Sequence, residues 1–218
     1  MYDKTGRPRL LLADDHRLFL EGLRNLLDPE FEIIGTAEDG RKLVEEVRKL
    51  HPDVIVADIS MPRLNGIEAA RQIKKIDPHI GIILLTMHPD VTYAVRGFEA
   101  GASGYVMKHS APDELLTAIK EVIKGKTYVT PRIAGDLLQF YKQGGTIDRK
   151  LGRGTLTPRQ IEVLQLLAEG NSAKEIGAIL EISTRTVEFH KYRMMQELHL
   201  KTSAQLIQYA IKHGIINP

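Results

Sequence analysis

The sequence predicts a doubly wound α/β domain on a five-stranded parallel sheet, followed by a small all-α domain of four helices. Three observations carry this expectation. Residues 9–126 alternate short apolar runs with longer stretches of helical period, the pattern of repeated β–α units whose strands lie parallel. Residues 143–155 (Q-G-G-T-I-D-R-K-L-G-R-G-T) hold four glycines, three basic residues and almost nothing to bury, which reads as a linker. Residues 156–218 then carry four helix signatures in succession. A chain of 218 residues with 43% hydrophobic and 27% charged residues is long enough for two ordinary globular domains. The expected division is residues 1–126, a helix and flexible linker over 127–155, and residues 156–218.

In chain order, the strand-like runs are residues 10–13, 33–37, 54–58, 82–86 and 104–107, and the helical stretches between and after them are 18–27, 42–50, 66–76, 91–100 and 112–124. Val54, Ile55, Val56 and Ala57 form an unbroken apolar run, as suits a strand covered on both faces, and Pro62 marks the exit from it. Ser110 stands before Pro112, Asp113 and Glu114, an N-cap followed by a proline and acids suited to a first helical turn. Residues 131–142 place Ile133, Ala134, Leu137, Leu138 and Tyr141 at helical period. Beyond the linker, Thr157-Pro158-Arg159-Gln160 is a capping box with proline at the first helical position, before Ile161, Leu164 and Leu167 on one face; Gly170 stops that helix. Ser172-Ala173-Lys174-Glu175 is a second capping box, leading Ile176, Ile179 and Leu180 inward. Ser183 opens a third helix with Val187, Met194 and Leu198 inward, and residues 204–213 form a fourth around Leu206, Ile207, Ala210 and Ile211. Two short helices joined by Glu181-Ile182 and followed by a third have the layout of a helix-turn-helix.

Composition excludes several classes of function. No apolar run approaches the roughly 18 residues of a membrane span and residues 1–9 are polar, so no membrane association and a cytoplasmic location are expected. With no cysteine there are no disulfides, thiolate metal sites or cysteine nucleophiles. The net charge of +2 is unevenly spread: residues 1–130 hold 18 Lys and Arg against 20 Asp and Glu, and residues 131–218 hold 12 against 8. The C-terminal part is the one suited to a polyanion.

In a parallel sheet of this kind, ligands sit at the carboxyl ends of the strands. The ends of strands one, three, four and five carry Asp14-Asp15, Asp58, Thr86 and Lys108. A single acid after a strand commonly does no more than cap the loop. Three carboxylates gathered at one edge, however, repel one another unless a hard divalent cation lies between them, and Mg²⁺ is the natural candidate. Thr86 offers a hydroxyl and Lys108 an ammonium, the groups needed to hold oxygens of a phosphoryl group on Asp58.

On these residues, the stretch 9–124 closely resembles the CheY-like receiver domain of bacterial two-component response regulators. The resemblance implies that Asp58, in D-I-S-M-P, accepts a phosphoryl group from the phosphohistidine of a sensor histidine kinase. It implies Mg²⁺ bound by Asp15, Asp58 and the backbone carbonyl of Ser60, with Asp14 assisting through water. Thr86 is then the switch hydroxyl, Lys108 the phosphoryl-binding lysine and Tyr105 the switch aromatic. Once Asp58 is phosphorylated, Thr86 can turn to bond the new oxygens and vacate space for the Tyr105 ring. Ser60 and His88 lie beside the phosphoryl position, where they can influence the lifetime of the phosphoaspartate.

The segment L-T-P-R-Q-I-E-V-L-Q-L-L-A-E-G-N-S-A-K-E-I-G-A-I-L-E-I-S-T-R-T-V-E-F-H closely resembles the LuxR-type helix-turn-helix, and its pairing with a receiver is the pattern of NarL/FixJ-type response regulators. This implies that residues 183–198 are the recognition helix for double-stranded DNA, with Thr184, Arg185, Thr186, Lys191, Arg193 and Lys201 placed for phosphates. Glu188, Phe189 and Tyr192 project near bases. Three features depart from the family pattern: Glu188 where a lysine is common, and Gln196-Glu197 and His199 where basic residues and a glycine are usual. His190 reads as a structural histidine on the inner side of that helix. The expected protein is a phosphorylation-dependent transcriptional regulator, a homodimer when active, with RNA polymerase as a further candidate partner and no enzymatic activity beyond phosphoryl transfer to and from its own Asp58. The rival readings are an aspartyl-phosphate enzyme, which needs a second acid that the residues after Asp58 do not supply, and a receiver with a protein-binding helical tail.

Overall fold

A computed structural model of the chain describes residues 6–87, 89–110, 112–142 and 156–216. His88 and the glycine-rich stretch 143–155 lie outside these described residues. The N-terminal part is a doubly wound parallel sheet whose strands are β1 (Arg9–Ala13), β2 (Glu32–Ala37), β3 (Val54–Asp58), β4 (Gly81–Thr86), β5 (Gly104–Met107) and β6 (Tyr128–Val129). They are ordered β2-β1-β3-β4-β5-β6, with every pairing parallel. The helices between them are α1 (Arg17–Leu27), α2 (Gly40–Leu50), α3 (Gly66–Ile76), α4 (Val91–Glu99) and α5 (Pro112–Ile123).

The central strands are apolar throughout because both faces are covered. Leu11, Ile55, Ile82 and Leu84 pack on the side of α2, α3 and α4, while Leu10, Leu12, Val54, Val56, Ile83 and Val106 pack on the side of α1 and α5. Each such side chain, fully removed from water, stabilises the fold by about 1.5–3 kcal/mol. β3 sits in the middle of the order, so Asp58 emerges at the centre of the sheet's carboxyl edge. Gly66 is what lets α3 start immediately beside it: a Cβ there would lie 2.2 Å from the Asp58 carbonyl oxygen.

The sheet has one strand more than the alternation of apolar runs predicts. β6 pairs with β5, and α6 (Pro131–Lys142) follows it directly. The segment expected to begin the linker is instead packed on the sheet domain: Phe140 joins Val91 and Val95 of α4, and Ile133 belongs to the main core. The Thr130 hydroxyl fixes the junction, donating to Glu114 at 2.6 Å and accepting from Met107 N at 3.2 Å.

The C-terminal unit is a bundle of α7 (Pro158–Ala168), α8 (Ala173–Leu180), α9 (Thr184–Glu197) and α10 (Ser203–Lys212). Both capping boxes expected from the sequence form, and Ser183 and Thr202 cap α9 and α10. The bundle has a core of its own, including Val163, Leu164, Leu166, Ile176, Val187, Met194, Leu206 and Ala210. α7 is buried on more than its bundle face because its other side lies against the sheet domain.

Candidate functional site

The carboxyl edge of the sheet gathers the acids that the sequence places there. Asp14 is fully buried, Asp58 is 3% exposed, and Asp15 stands at the rim. The Lys108 ammonium bridges the two buried carboxylates, 2.7 Å from Asp14 Oδ2 and 2.9 Å from Asp58 Oδ2, and lies 4.8 Å from the centre of the Phe19 ring. Burial raises the pKa of the Asp58 carboxyl; Lys108 pulls against this, while the like charge of Asp14 adds to it. For Lys108, burial works against the ammonium, but its bonds to Asp14 and Asp58 outweigh it and the pKa is raised. The Ser60 backbone N–H donates to Asp58, so the loop after β3 folds back over the acid.

Ligand atoms of Asp14, Asp15, His16 and Asp58 all lie within 4.8 Å of one another. This oxygen-rich set, with two of its carboxylates taken out of water beside a single lysine, fits a hard divalent cation. His16 is a member that sequence reasoning missed. Its Nδ1 is 2.9 Å from Asp15 Oδ1 and 3.0 Å from Asp14 Oδ1, and its backbone N–H donates to Asp14 Oδ1. The signal was its place immediately after the acid pair.

Thr86 and Tyr105 come together beneath this cluster. Both are buried, at 2% and 1% exposure, and their side chains are hydrogen-bonded to each other. The expected motion of the Tyr105 ring into vacated space is therefore not needed, since the ring is already inside. Burial of the hydroxyl pushes its pKa well up.

The bundle presents α9 to solvent. Thr184, Arg185, Phe189, Tyr192 and Arg193 are exposed, with Phe189 and Tyr192 more than half so; Thr186, Glu188 and Lys191 are half-buried, and Lys201 is exposed beyond the helix. Two of the expected phosphate-binding cations are paired within the helix: Lys191 Nζ is 3.4 Å from Glu188 Oε2, and Arg193 Nε is 2.9 Å from Glu197 Oε1. His190 is partly buried, and burial followed by the nearby Arg159 and Arg193 charges lowers its pKa, in keeping with a neutral structural role. His199 occupies left-handed backbone with φ of 54°, the conformation for which glycine is usual.

The two sites are joined by polar contacts across the sheet–bundle boundary. Gln165 of α7, 1% exposed, accepts from Asn65 N at 2.8 Å and Asn65 Nδ2 at 3.2 Å and donates to the Met61 carbonyl at 2.9 Å. Glu169 accepts from Arg63 N at 3.0 Å, and Glu162 meets Arg41 at 3.3 Å and Gln72 at 3.2 Å. The loop held in this way, residues 59–65, is the one that follows Asp58. A second contact brings the end of α10 to α4, where Arg96 Nη1 donates to the His213 carbonyl at 3.4 Å. Gly214 passes so close to Tyr93 that a Cβ would overlap its hydroxyl at 1.0 Å.

Comparison with known proteins agrees with this arrangement of an acid-edged sheet and a capped helical bundle. Residues 10–120 match the response regulator receiver domain, and residues 154–210 match the luxR family of bacterial regulatory proteins. The chain belongs to the NarL/FixJ-type response regulators. Among curated relatives it is 35% identical to the transcriptional regulatory protein DegU of Brevibacillus brevis, over 94% of each chain. It is 32% identical to the oxygen regulatory protein NreC of Staphylococcus carnosus, over 96% of this chain and 99% of that one. Among solved structures, RcsB from Salmonella enterica serovar Typhimurium, bound to promoter DNA in the presence of the phosphomimetic BeF3-, is 31% identical, with a TM-score of 0.63 over 93% of this chain and 98% of that one. As a response regulator with a LuxR-type domain, the chain is a phosphorylation-dependent regulator of transcription. Among the described residues no helix is long and apolar enough to cross a membrane.

Proposed function

We propose that Asp58 is the phosphoacceptor of this response regulator and that its phosphorylation by a sensor histidine kinase releases the DNA-binding bundle for pairing on double-stranded DNA. The observation that carries the reading is Lys108 bridging buried Asp14 and Asp58 at the sheet's carboxyl edge, next to a loop tied to α7. An Asp58 carboxylate oxygen attacks phosphorus, and the P–N bond of the donor phosphohistidine breaks with its electron pair left on the imidazole. Asp15, Asp58 and the Ser60 carbonyl would hold Mg²⁺, with Asp14 assisting through water, and the bound ion would supply positive charge to the phosphoryl oxygens. Lys108 moves from two carboxylates to the phosphoryl group, and Thr86 exchanges Tyr105 for a phosphoryl oxygen. Activity is limited to this transfer and its hydrolysis.

Residues 1–126 form the receiver, 127–155 the connection and 156–218 the DNA-binding unit, with residues 128–142 packed on the receiver. By resemblance to its family the fourth helix of the bundle, α10, supplies the pairing surface on DNA; the receiver leaves the exposed face of α9 free and instead engages α7 and the end of α10, so it restrains pairing rather than groove reading. Two copies on a two-fold site follow from the few base pairs one helix can contact. A regulator that acts on DNA and recruits or blocks RNA polymerase works in the cytoplasm.

Lys108→Ala should abolish phosphorylation-dependent DNA binding while leaving Mg²⁺ affinity, measured by titration calorimetry, equal or higher, because the ammonium competes with the metal for the same carboxylates. Loss of metal binding together with signalling would place Lys108 in a structural role. At the DNA, Thr184, Arg185, Thr186, Lys191, Arg193 and Lys201 contact phosphates and Glu188, Phe189 and Tyr192 read bases. Glu188 can accept from a cytosine amino group, so Glu188→Ala should relax base preference at one position of each half-site. Lys191→Ala should weaken binding similarly across sequences and reduce the log–log salt slope by roughly 0.9 for each copy bound. Retardation assays on a substitution series of duplexes test this, and equal selectivity in the two variants removes the division of labour.

A further inference from the structure

The flank of α9 carries its own counter-charge. Val187 and Met194 are buried, so Phe189 and Tyr192 mark the outermost line of the helix, and Arg193 lies on the flank beside them. A helix with its side chains is about 10–12 Å across and the major groove about 12 Å wide, so flank residues of a helix in the groove meet phosphate walls. Arg193 is thus a phosphate-facing cation, yet its Nε already lies 2.9 Å from Glu197 Oε1. Glu197 is not a loose surface acid. Its other oxygen accepts a 2.7 Å bond from Gln160 Nε2, and Gln160 is 2% exposed and closes the capping box of α7. The carboxylate is held in place from behind by the frame of the bundle, and it stays beside Arg193 when α9 approaches a polyanion.

We propose that Glu197 limits the affinity of this chain for DNA of any sequence by neutralising Arg193 at the phosphate wall. The inference rests on the DNA-binding reading above. Residues 184–201 carry four cations, Arg185, Lys191, Arg193 and Lys201, against Glu188 and Glu197. Removing the Glu197 charge restores one cation to the set that displaces counterions.

The test is Glu197→Gln in the full-length protein, which deletes the charge but keeps an acceptor for Gln160. Binding to a random duplex is measured by fluorescence anisotropy across a salt series, with and without acetyl phosphate and Mg²⁺. The variant should bind roughly two- to fivefold tighter per copy, the size of one partly exposed charge interaction, and its log–log salt slope should steepen by about 0.9 for each copy bound. In an Arg193→Ala background the same substitution should lose most of this gain. Unchanged affinity and slope in Glu197→Gln, or an undiminished gain without Arg193, overturns the proposal while leaving DNA binding intact. If neither wild type nor variant binds any duplex in either state, the DNA-binding reading itself fails.

Discussion

Asp58→Asn should abolish Mg²⁺-dependent labelling by acetyl phosphate or a cognate kinase, and with it every phosphorylation-dependent change in DNA binding. Asparagine keeps the shape of the side chain and an acceptor for the Ser60 N–H, but its amide is no nucleophile for phosphorus. The protein should remain folded, which makes the loss interpretable. The pKa of Asp58 is raised above the ordinary 3.8 mainly by burial, so ionising it opposes folding. The stability it contributes is present below the unfolded value and lost as pH rises through the higher folded value. At neutral pH a neutral isostere removes that burden and the repulsion from Asp14, so the variant should melt at or above the wild-type temperature. Labelling equal to wild type would falsify the assignment of Asp58, and a large drop in melting temperature would mean that the Lys108–Asp58 pair outweighs burial.

The second large effect concerns the contacts between the two units. The isolated fragment from about Leu151 should bind DNA without phosphorylation, since it holds its own hydrophobic core and carries α10 uncovered. Unmodified full-length protein should bind least and phosphorylated protein better. Gln165→Ala should move the unmodified full-length protein towards the fragment. With the units docked, that substitution leaves the Met61 carbonyl and the Asn65 amide groups buried without partners, at about 1–3 kcal/mol each. Undocking returns them to water. A balance of a few kcal/mol between docked and free states is then tipped by the substitution, as it is by a phosphoryl group placed at the other end of the same loop. If unmodified full-length protein already matches the fragment, and neither phosphorylation nor Gln165→Ala changes binding, the receiver is not an inhibitory gate.

The sheet and the acid cluster were legible because each rests on a strong local pattern. An unbroken apolar run such as 54–57 has to be buried on both faces, and a doubly wound order brings the ends of strands one, three, four and five to one edge. Caps at Thr157, Ser172 and Ser183 are written in three-residue spacings and form as expected. β6 was not legible, since two residues, Tyr128 and Val129, have no periodicity to read. Tyr105 was expected to move because the resemblance makes it the switch aromatic, and its depth, which depends on what β6 and α4 cover, has no sequence signal. Gln165 reads as an ordinary polar helix position, and its partner is 100 residues away. The pairing of Arg193 with Glu197 follows from their four-residue spacing, but the anchoring of Glu197 by Gln160 depends on bundle geometry.

The short strand β6 also settles how the sheet ends. A parallel sheet that stopped at β5 would present unpaired N–H and C=O groups to any passing strand, a template for edge-to-edge aggregation. β6 and the residue after it occupy part of that edge, Tyr128 N–H donating to the Ser103 carbonyl and Thr130 N–H to the Tyr105 carbonyl, and α6 then lies over the apolar residues Val91 and Val95 of α4. A receiver cut after Lys126 would bare both the ladder and the apolar face at once, whereas one carried to Lys142 keeps part of the β5 ladder paired and the face of α4 covered.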